Sequence, residues 1–192
     1  SADGVISAYP ADVDGDGEMD VLSASFEDGQ LPMAWYENDG TGNFTVQGIS
    51  TTVNGAWVVH AADVDGDGDM DVLSGSGNDN TIAWYENNGS ENFTQYVISA
   101  SIMGVNSIYV ADVDGDGDMD VLSASSNDSK IVWHENDGSE NFTENVISTS
   151  ADGANTVYVV DLDGDSDLDV LSASYNDDKI AWYENDGSEN FT

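Results

Sequence analysis

The chain has no cysteine and no arginine, and its only basic residues, Lys130 and Lys179, stand against 39 Asp and Glu. Without Cys there are no disulfides, thiolate metal sites or cysteine nucleophiles. The formal net charge of −37 argues against nucleic acid or anionic lipid as a partner, because both need basic surface. It argues equally against an acidic polysaccharide, unless a divalent cation bridges the two. No apolar run approaches the length of a membrane-spanning helix, so no membrane insertion is expected. The opening Ser1-Ala2-Asp3-Gly4 is not a signal peptide, which leaves a removed leader or a longer parent chain as the expectation. A domain this acidic repels itself unless it binds counter-ions or works in high salt. A Cys-free fold outside a cell needs another staple, and bound metal is one.

What is present is repetition. The 192 residues are 39% hydrophobic and include five Trp, enough for a core and against the disordered class. Trp recurs at 35, 84, 133 and 182, always 49 apart, and Asn-Phe-Thr recurs at 43, 92, 141 and 190. An acidic loop opens at Asp12, Asp63, Asp112 and Asp161, with spacings of 51, 49 and 49. The two extra residues of the first repeat fall within 26–32 and predict a surface loop. Each unit reads as four short strands. In the last they are Thr156–Val160, Leu168–Ser174, Lys179–Glu184 and a fourth that starts at Asn190. An Asn-Asp-Gly-Ser signal at 185–188 predicts a hairpin before that fourth strand. No 3.6-residue apolar stripe is sustained. The expectation is an all-β fold, a β-propeller of four-stranded antiparallel blades at about 1–50, 51–99, 100–148 and 149–192, the last lacking most of its outer strand. A parallel β-helix is the rival architecture.

The four loops place carboxylates in register. They are Asp12, Asp14, Asp16, Glu18 and Asp20; Asp63, Asp65, Asp67, Asp69 and Asp71; Asp112, Asp114, Asp116, Asp118 and Asp120; and Asp161, Asp163, Asp165, Asp167 and Asp169. Side-chain oxygens at loop positions 1, 3, 5 and 9, with a backbone carbonyl at position 7, suit a cation that takes six to eight hard oxygen ligands. Glycines between them let the backbone curl. An EF-hand would need Glu at position 12 and an exiting helix, whereas Ser23, Ser74, Ser123 and Ser172 stand there inside β-runs. Crowded carboxylates disfavour magnesium, and the absence of Cys and of paired His disfavours zinc and copper. The expected cofactor is Ca²⁺, about one per repeat and four in total.

The loops, the four-strand unit and the run Trp182-Tyr183-Glu184-Asn185-Asp186-Gly187 resemble the FG-GAP/VCBS-type repeats of calcium-binding β-propellers, over the whole chain. That resemblance implies calcium between the first and second strands of each blade and rings of usually seven blades, sometimes eight, of which this chain would supply four, a part or half. Related blades occur in integrin α-subunit heads, fungal lectins and secreted bacterial proteins. The chain lacks the Phe-Gly and Gly-Ala-Pro signatures that gave the family its name.

Other features read as structure. The four Trp share a strand face with Met33, Ile82, Ile131 and Ile180 and are expected between blades. Tyr9, His60, Tyr109 and Tyr158 occupy the innermost strand, to line a channel or to pack. His60 and His134 replace Tyr at equivalent repeat positions, which suggests packing. The Asn-Phe-Thr sequons, and those at Asn88 and Asn127, read as turn chemistry. No catalytic residues are assigned, because nothing but the first-repeat insertion breaks the symmetry. The functional expectation is a non-enzymatic, secreted or cell-surface, calcium-stabilised module that binds a protein or glycan ligand or mediates adhesion. The alternatives are a subunit that assembles with further copies of itself into a ring, fibre or surface layer, and a lectin or accessory domain of a polysaccharide-degrading enzyme.

Overall fold

Residues 4–26 and 31–192 are described by a computed structural model. The insertion read as a surface loop falls largely on residues 27–30, outside the described residues. Every described element is a strand, and the strands form four antiparallel meanders. The first is β1 (Val5–Ala11), β2 (Asp20–Ser25), β3 (Met33–Asn38) and β4 (Phe44–Ser50). The second is β5 (Ala56–Ala62), β6 (Asp71–Ser76), β7 (Thr81–Asn87) and β8 (Phe93–Ser99). The third is β9 (Val105–Ala111), β10 (Asp120–Ser125), β11 (Lys130–Asn136) and β12 (Phe142–Ser148). The fourth has three strands, β13 (Ala154–Val160), β14 (Asp169–Ser174) and β15 (Lys179–Tyr183), and a single bridge between Asn185 and Phe191 where a fourth strand begins. Propeller blades are four-stranded antiparallel sheets of this kind, so the expectation of an all-β, bladed fold holds.

The chain divides into two compact units, Ser1–Ile102 and Met103–Thr192, each holding two blades. The period-2 alternation of the strands gives each blade two apolar faces. In the first blade Leu22 pairs with Trp35 and Ala24 with Met33, which defines a Trp face. Val21, Ser23, Ala34 and Tyr36 point the other way, which defines a Tyr face. Within the first unit the Trp face of β1–β4 packs against the Tyr face of β5–β8. Their shared core holds Leu22, Ala24, Met33 and Trp35 from one and Ala56, Val59, Val72 and Tyr85 from the other. The second unit repeats this arrangement. Leu122, Ala124, Ile131 and Trp133 of the third blade meet Ala154, Val157, Val170 and Tyr183 of the fourth.

The expected inter-blade packing of Trp holds for Trp35 and Trp133, which are buried in the shared cores of the two units, and Trp84 is fully buried as well. Trp182 differs, at 42% exposed, and its neighbour Ile180 is 86% exposed. The difference is one of environment: the Trp face of the last blade has no apolar sheet over it among the described residues. The inner-strand aromatics pack in pairs. Tyr9 lies 4.1 Å from His60 by ring centroid, and Tyr109 makes an edge contact with Tyr158 at 4.9 Å.

Candidate metal centre

Each acidic loop joins the innermost strand of a blade to the second strand, and the local hydrogen bonds explain its shape. The position-3 carboxylate accepts from the position-5 N–H, as Asp14 does from Asp16 at 3.1 Å and Asp65 from Asp67 at 3.1 Å. The position-5 carboxylate accepts from position 7, as Asp16 does from Glu18 and Asp67 from Asp69, both at 2.8 Å. The position-1 carboxylate reaches across to position 6: Asp12 accepts from Gly17 at 3.0 Å and Asp63 from Gly68 at 3.1 Å. Successive Asx turns of this kind curl the backbone so that the carboxylates converge. The curl needs positive φ at position 6, met by Gly17 (92°), Gly68 (95°) and Gly117 (102°). In the fourth loop Ser166 holds φ 84° there, a conformation that costs an L-residue energy.

Position 9 is anchored differently. Asp20 is buried and accepts from the Val13 N–H at 3.0 Å and from the Asn38 N–H at 2.8 Å. The same pair of bonds recurs at Asp71 with Val64 and Asn87, at Asp120 with Val113 and Asn136, and at Asp169 with Leu162 and Asn185. One carboxylate therefore ties the loop to the end of the third strand in every blade. Nothing in the loop motif announces this second duty. The invariant Asn after Trp-Tyr-Glu or Trp-His-Glu is the only sequence trace of it.

The clusters that result bring together Asp12, Asp14 and Asp20; Asp63, Asp65 and Asp71; Asp112, Asp114 and Asp116; and Asp161, Asp163 and Asp169, with ligand atoms within 4.8 Å of one another. Asp16, Asp67 and Asp165 stay in the same loops, engaged with the position-7 N–H. The side chains at position 7 turn away: a Cβ at Gly89, Gly138 or Gly187 would clash with the carboxylate of Asp69, Asp118 or Asp167. Glu18 lies against Gly40 in the same way. That leaves the backbone as what position 7 can offer a cation.

The electrostatics favour a cation. Burial, reinforced by neighbouring carboxylates, raises Asp14, Asp65, Asp114 and Asp163 above the ordinary Asp range. Burial pushes Asp71 and Asp120 up to about 6, against the opposing pull of the backbone N–H groups of Asn87 and Val64 and of Asn136 and Val113. Asp12 Oδ1 and Asp63 Oδ1 are buried with no hydrogen-bond partner. An orphaned carboxylate oxygen inside an all-oxygen cluster fits a hard divalent cation. Neither lysine relieves the loops: Lys130 pairs with Asp128 and Glu144, and Lys179 with Asp177.

The remaining candidate residues are structural in this arrangement. His134 is buried and its Nε2 meets Ser123 Oγ at 3.1 Å, where Tyr85 and Tyr183 meet Ser74 and Ser172 in other blades. Burial lowers its pKa to about 4. The sequon residues Asn43, Asn141 and Asn190 donate to the turn carboxylates of Asp39, Asp137 and Asp186, and these bonds hold the three carboxyls below the usual range.

A family model described as an FG-GAP-like repeat matches residues 12–74, 63–123 and 112–172, each match running from one acidic loop past the next. No curated protein sequence matches the chain. Among solved structures, an Agrocybe aegerita lectin, described for specific recognition of non-reducing terminal N-acetylglucosamine, superposes with a TM-score of 0.66 at 21% identity, over 96% of this chain and 50% of that one. The V. cholerae biofilm matrix protein Bap1 superposes with a TM-score of 0.58 at 19% identity, over 96% of this chain and 27% of that one. The chain thus spans half the length of the lectin and about a quarter of the biofilm protein. At such identities the likeness is one of fold.

Proposed function

This chain belongs to the FG-GAP-like repeat family, and from that membership we propose that it is a non-enzymatic, calcium-stabilised extracellular module for binding or adhesion. The observation that carries the metal part is the pair of orphaned oxygens, Asp12 Oδ1 and Asp63 Oδ1, within clusters of oxygen donors that no lysine reaches. A bound Ca²⁺ supplies charge neutralisation and a point on which the loop oxygens converge. The chain's own residues do the rest. Position 9 fixes the loop to the third strand, positions 1 and 3 offer free carboxylate lone pairs, and position 7 offers its backbone carbonyl. The blades then act as rigid supports that present loops to a partner.

Two measurements test this. Metal analysis of protein dialysed against trace Ca²⁺ should find about four ions per chain. A cation that binds only the folded state stabilises by about 2.7 kcal/mol per site at a hundredfold excess over its dissociation constant. Chelator should therefore lower the melting temperature steeply, and an unchanged melt would sink the metal reading. Glycan as the ligand class is favoured by the lectin likeness. A glycan array probed in calcium, with protein pulled down from a biofilm or cell-surface extract as the parallel arm, separates glycan from protein ligands.

A further inference from the structure

The exposed Trp face of the last blade and an exposed apolar groove on the first blade are the two halves of a contact that this chain already makes twice. In the first unit the Trp face of β1–β4 is covered by the Tyr face of β5–β8, and in the second unit the Trp face of β9–β12 is covered by the Tyr face of β13–β15. The covering positions in β5–β8 are Ala56, Val59, Val72, Tyr85 and Phe93. Their repeat equivalents on the first blade are Val5, Ala8, Val21, Tyr36 and Phe44, and these five, with Ser23, line an apolar groove of about 400 Å³. Val5 is 45% and Phe44 51% exposed. At the other end, the positions equivalent to Tyr109, Val113, Ile131 and Trp133 are Tyr158, Leu162, Ile180 and Trp182, all exposed.

We propose that the Trp face of β13–β15 docks the Tyr face of β1–β4 of a second copy of this chain, head to tail. The repeat supplies the polar register as well as the apolar one. Ser7 Oγ accepts from the Val59 N–H across the first pair of blades, and Ser107 Oγ accepts from the Val157 N–H across the second, both at 3.3 Å. The equivalent of Ser7 and Ser107 on the last blade is Thr156, exposed and carrying a hydroxyl. The equivalent of Val59 on the first blade is Ala8, whose N–H would be its donor in the second copy. Likewise the Asn87 amide donates both to Val13 O on the neighbouring blade, at 3.0 Å, and to Met70 O on its own. Its equivalent Asn38 donates to Met19 O and has a second amide hydrogen for the Leu162 carbonyl of the other copy. A head-to-tail contact of this kind either closes a ring or runs on into a polymer.

The inference goes beyond the module reading and is judged by mass, so its failure is distinct from a failure of the calcium reading, which is judged by melting. Sedimentation of the full chain in calcium, from low to high micromolar concentration, should show a species of twice the monomer mass or more. Ile180→Asp and Phe44→Asp place a carboxylate on one exposed face each. Each alone should raise the dissociation constant by about a hundredfold, since an unpaired charge would be desolvated in the contact. Circular dichroism of each variant checks that the blades remain folded. Mixed one to one, the two variants retain one intact pair of faces between them and should form a one-to-one dimer. A wild-type monomer at every concentration overturns self-docking and turns the search to a blade from another polypeptide. Oligomers that both variants leave unchanged, or folded variants that do not complement each other, overturn it as well.

Discussion

Ile131 and Ile180 are the same residue at the same strand position of adjacent blades, and they provide an internal control on the inter-blade core. Ile131 is fully buried against the fourth blade, while Ile180 is 86% exposed. Truncating each to Ala removes the same carbons. At Ile131 the loss of transfer free energy is about 0.8 kcal/mol per methylene equivalent, and the cavity left between two sheets brings the total to about 3–4 kcal/mol. At Ile180 there is no cavity to leave and little transfer to lose, so the cost should stay within about 0.5 kcal/mol. For a chain of this size each kcal/mol moves the melting temperature by about 2–4 °C. Ile131→Ala should therefore melt about 6–15 °C below the parent, and Ile180→Ala within about 2 °C of it. The assay is thermal unfolding in calcium at the lowest protein concentration that fluorescence allows, where docking between copies is minimal. Equal costs at both positions would refute the reasoning, because Ile180 would then be buried within a single chain. A cost below about 1 kcal/mol at Ile131 would refute the assignment of that face to the core.

Other substitutions test the loops and turns. Ser166→Gly should stabilise the chain by about 1 kcal/mol, read as a raised urea midpoint, because it relieves the left-handed φ that glycine holds in the other three loops. Gly89→Ala should destabilise in calcium and in chelator alike, since the new Cβ meets the Asp69 carboxylate at a positive φ. The buried His134, with a folded pKa of about 4 against 6.5 unfolded, contributes stability that is fully present above pH 6.5 and is lost as pH falls toward 4. The full loss is about 3 kcal/mol. His134→Tyr, the residue of the other blades, should remove that part of the acid sensitivity in a pH series of urea melts. An unaltered pH dependence in the variant would contradict a buried neutral imidazole.

The bladed fold was legible because the sequence repeats its own punctuation. Trp at fixed spacing marks the third strand, the acidic loop marks the first connection, and the Asn-Asp-Gly turn marks the last. Each signal is local, so one chain read four times gives the strand order of each sheet. The positions of positive φ were less legible. Glycine at 187 was readable as a turn, but Glu91, Glu140 and Glu189 also hold positive φ, where the first repeat carries Gly42. Glutamate has no local preference for that conformation, and the hairpin imposes it. The fate of Trp182 was illegible for another reason. Its strand is almost identical to those of Trp84 and Trp133, so the difference in burial lies wholly in what covers the sheet.

The double role of loop position 9 bears on how metal and fold depend on each other. Asp20, Asp71, Asp120 and Asp169 each spend both oxygens on backbone N–H groups, so the fold anchors one corner of each loop through strand ends alone. Positions 1, 3 and 5 are held only by bonds within the loop, and it is there that carboxylates crowd without a counter-charge. A cation in the clusters of the first, second and fourth loops would thus join the corner that the strands fix, at position 9, to positions 1 and 3, which they do not. Four divalent ions would add 8 to a formal charge of −37 and leave −29, so metal cannot neutralise the chain as a whole. Its effect would be local relief at four points where carboxylates crowd. Among the described residues, the carboxylates outside the loops lie mainly on turns and at the ends of the third strands, with Glu144 on an outer strand.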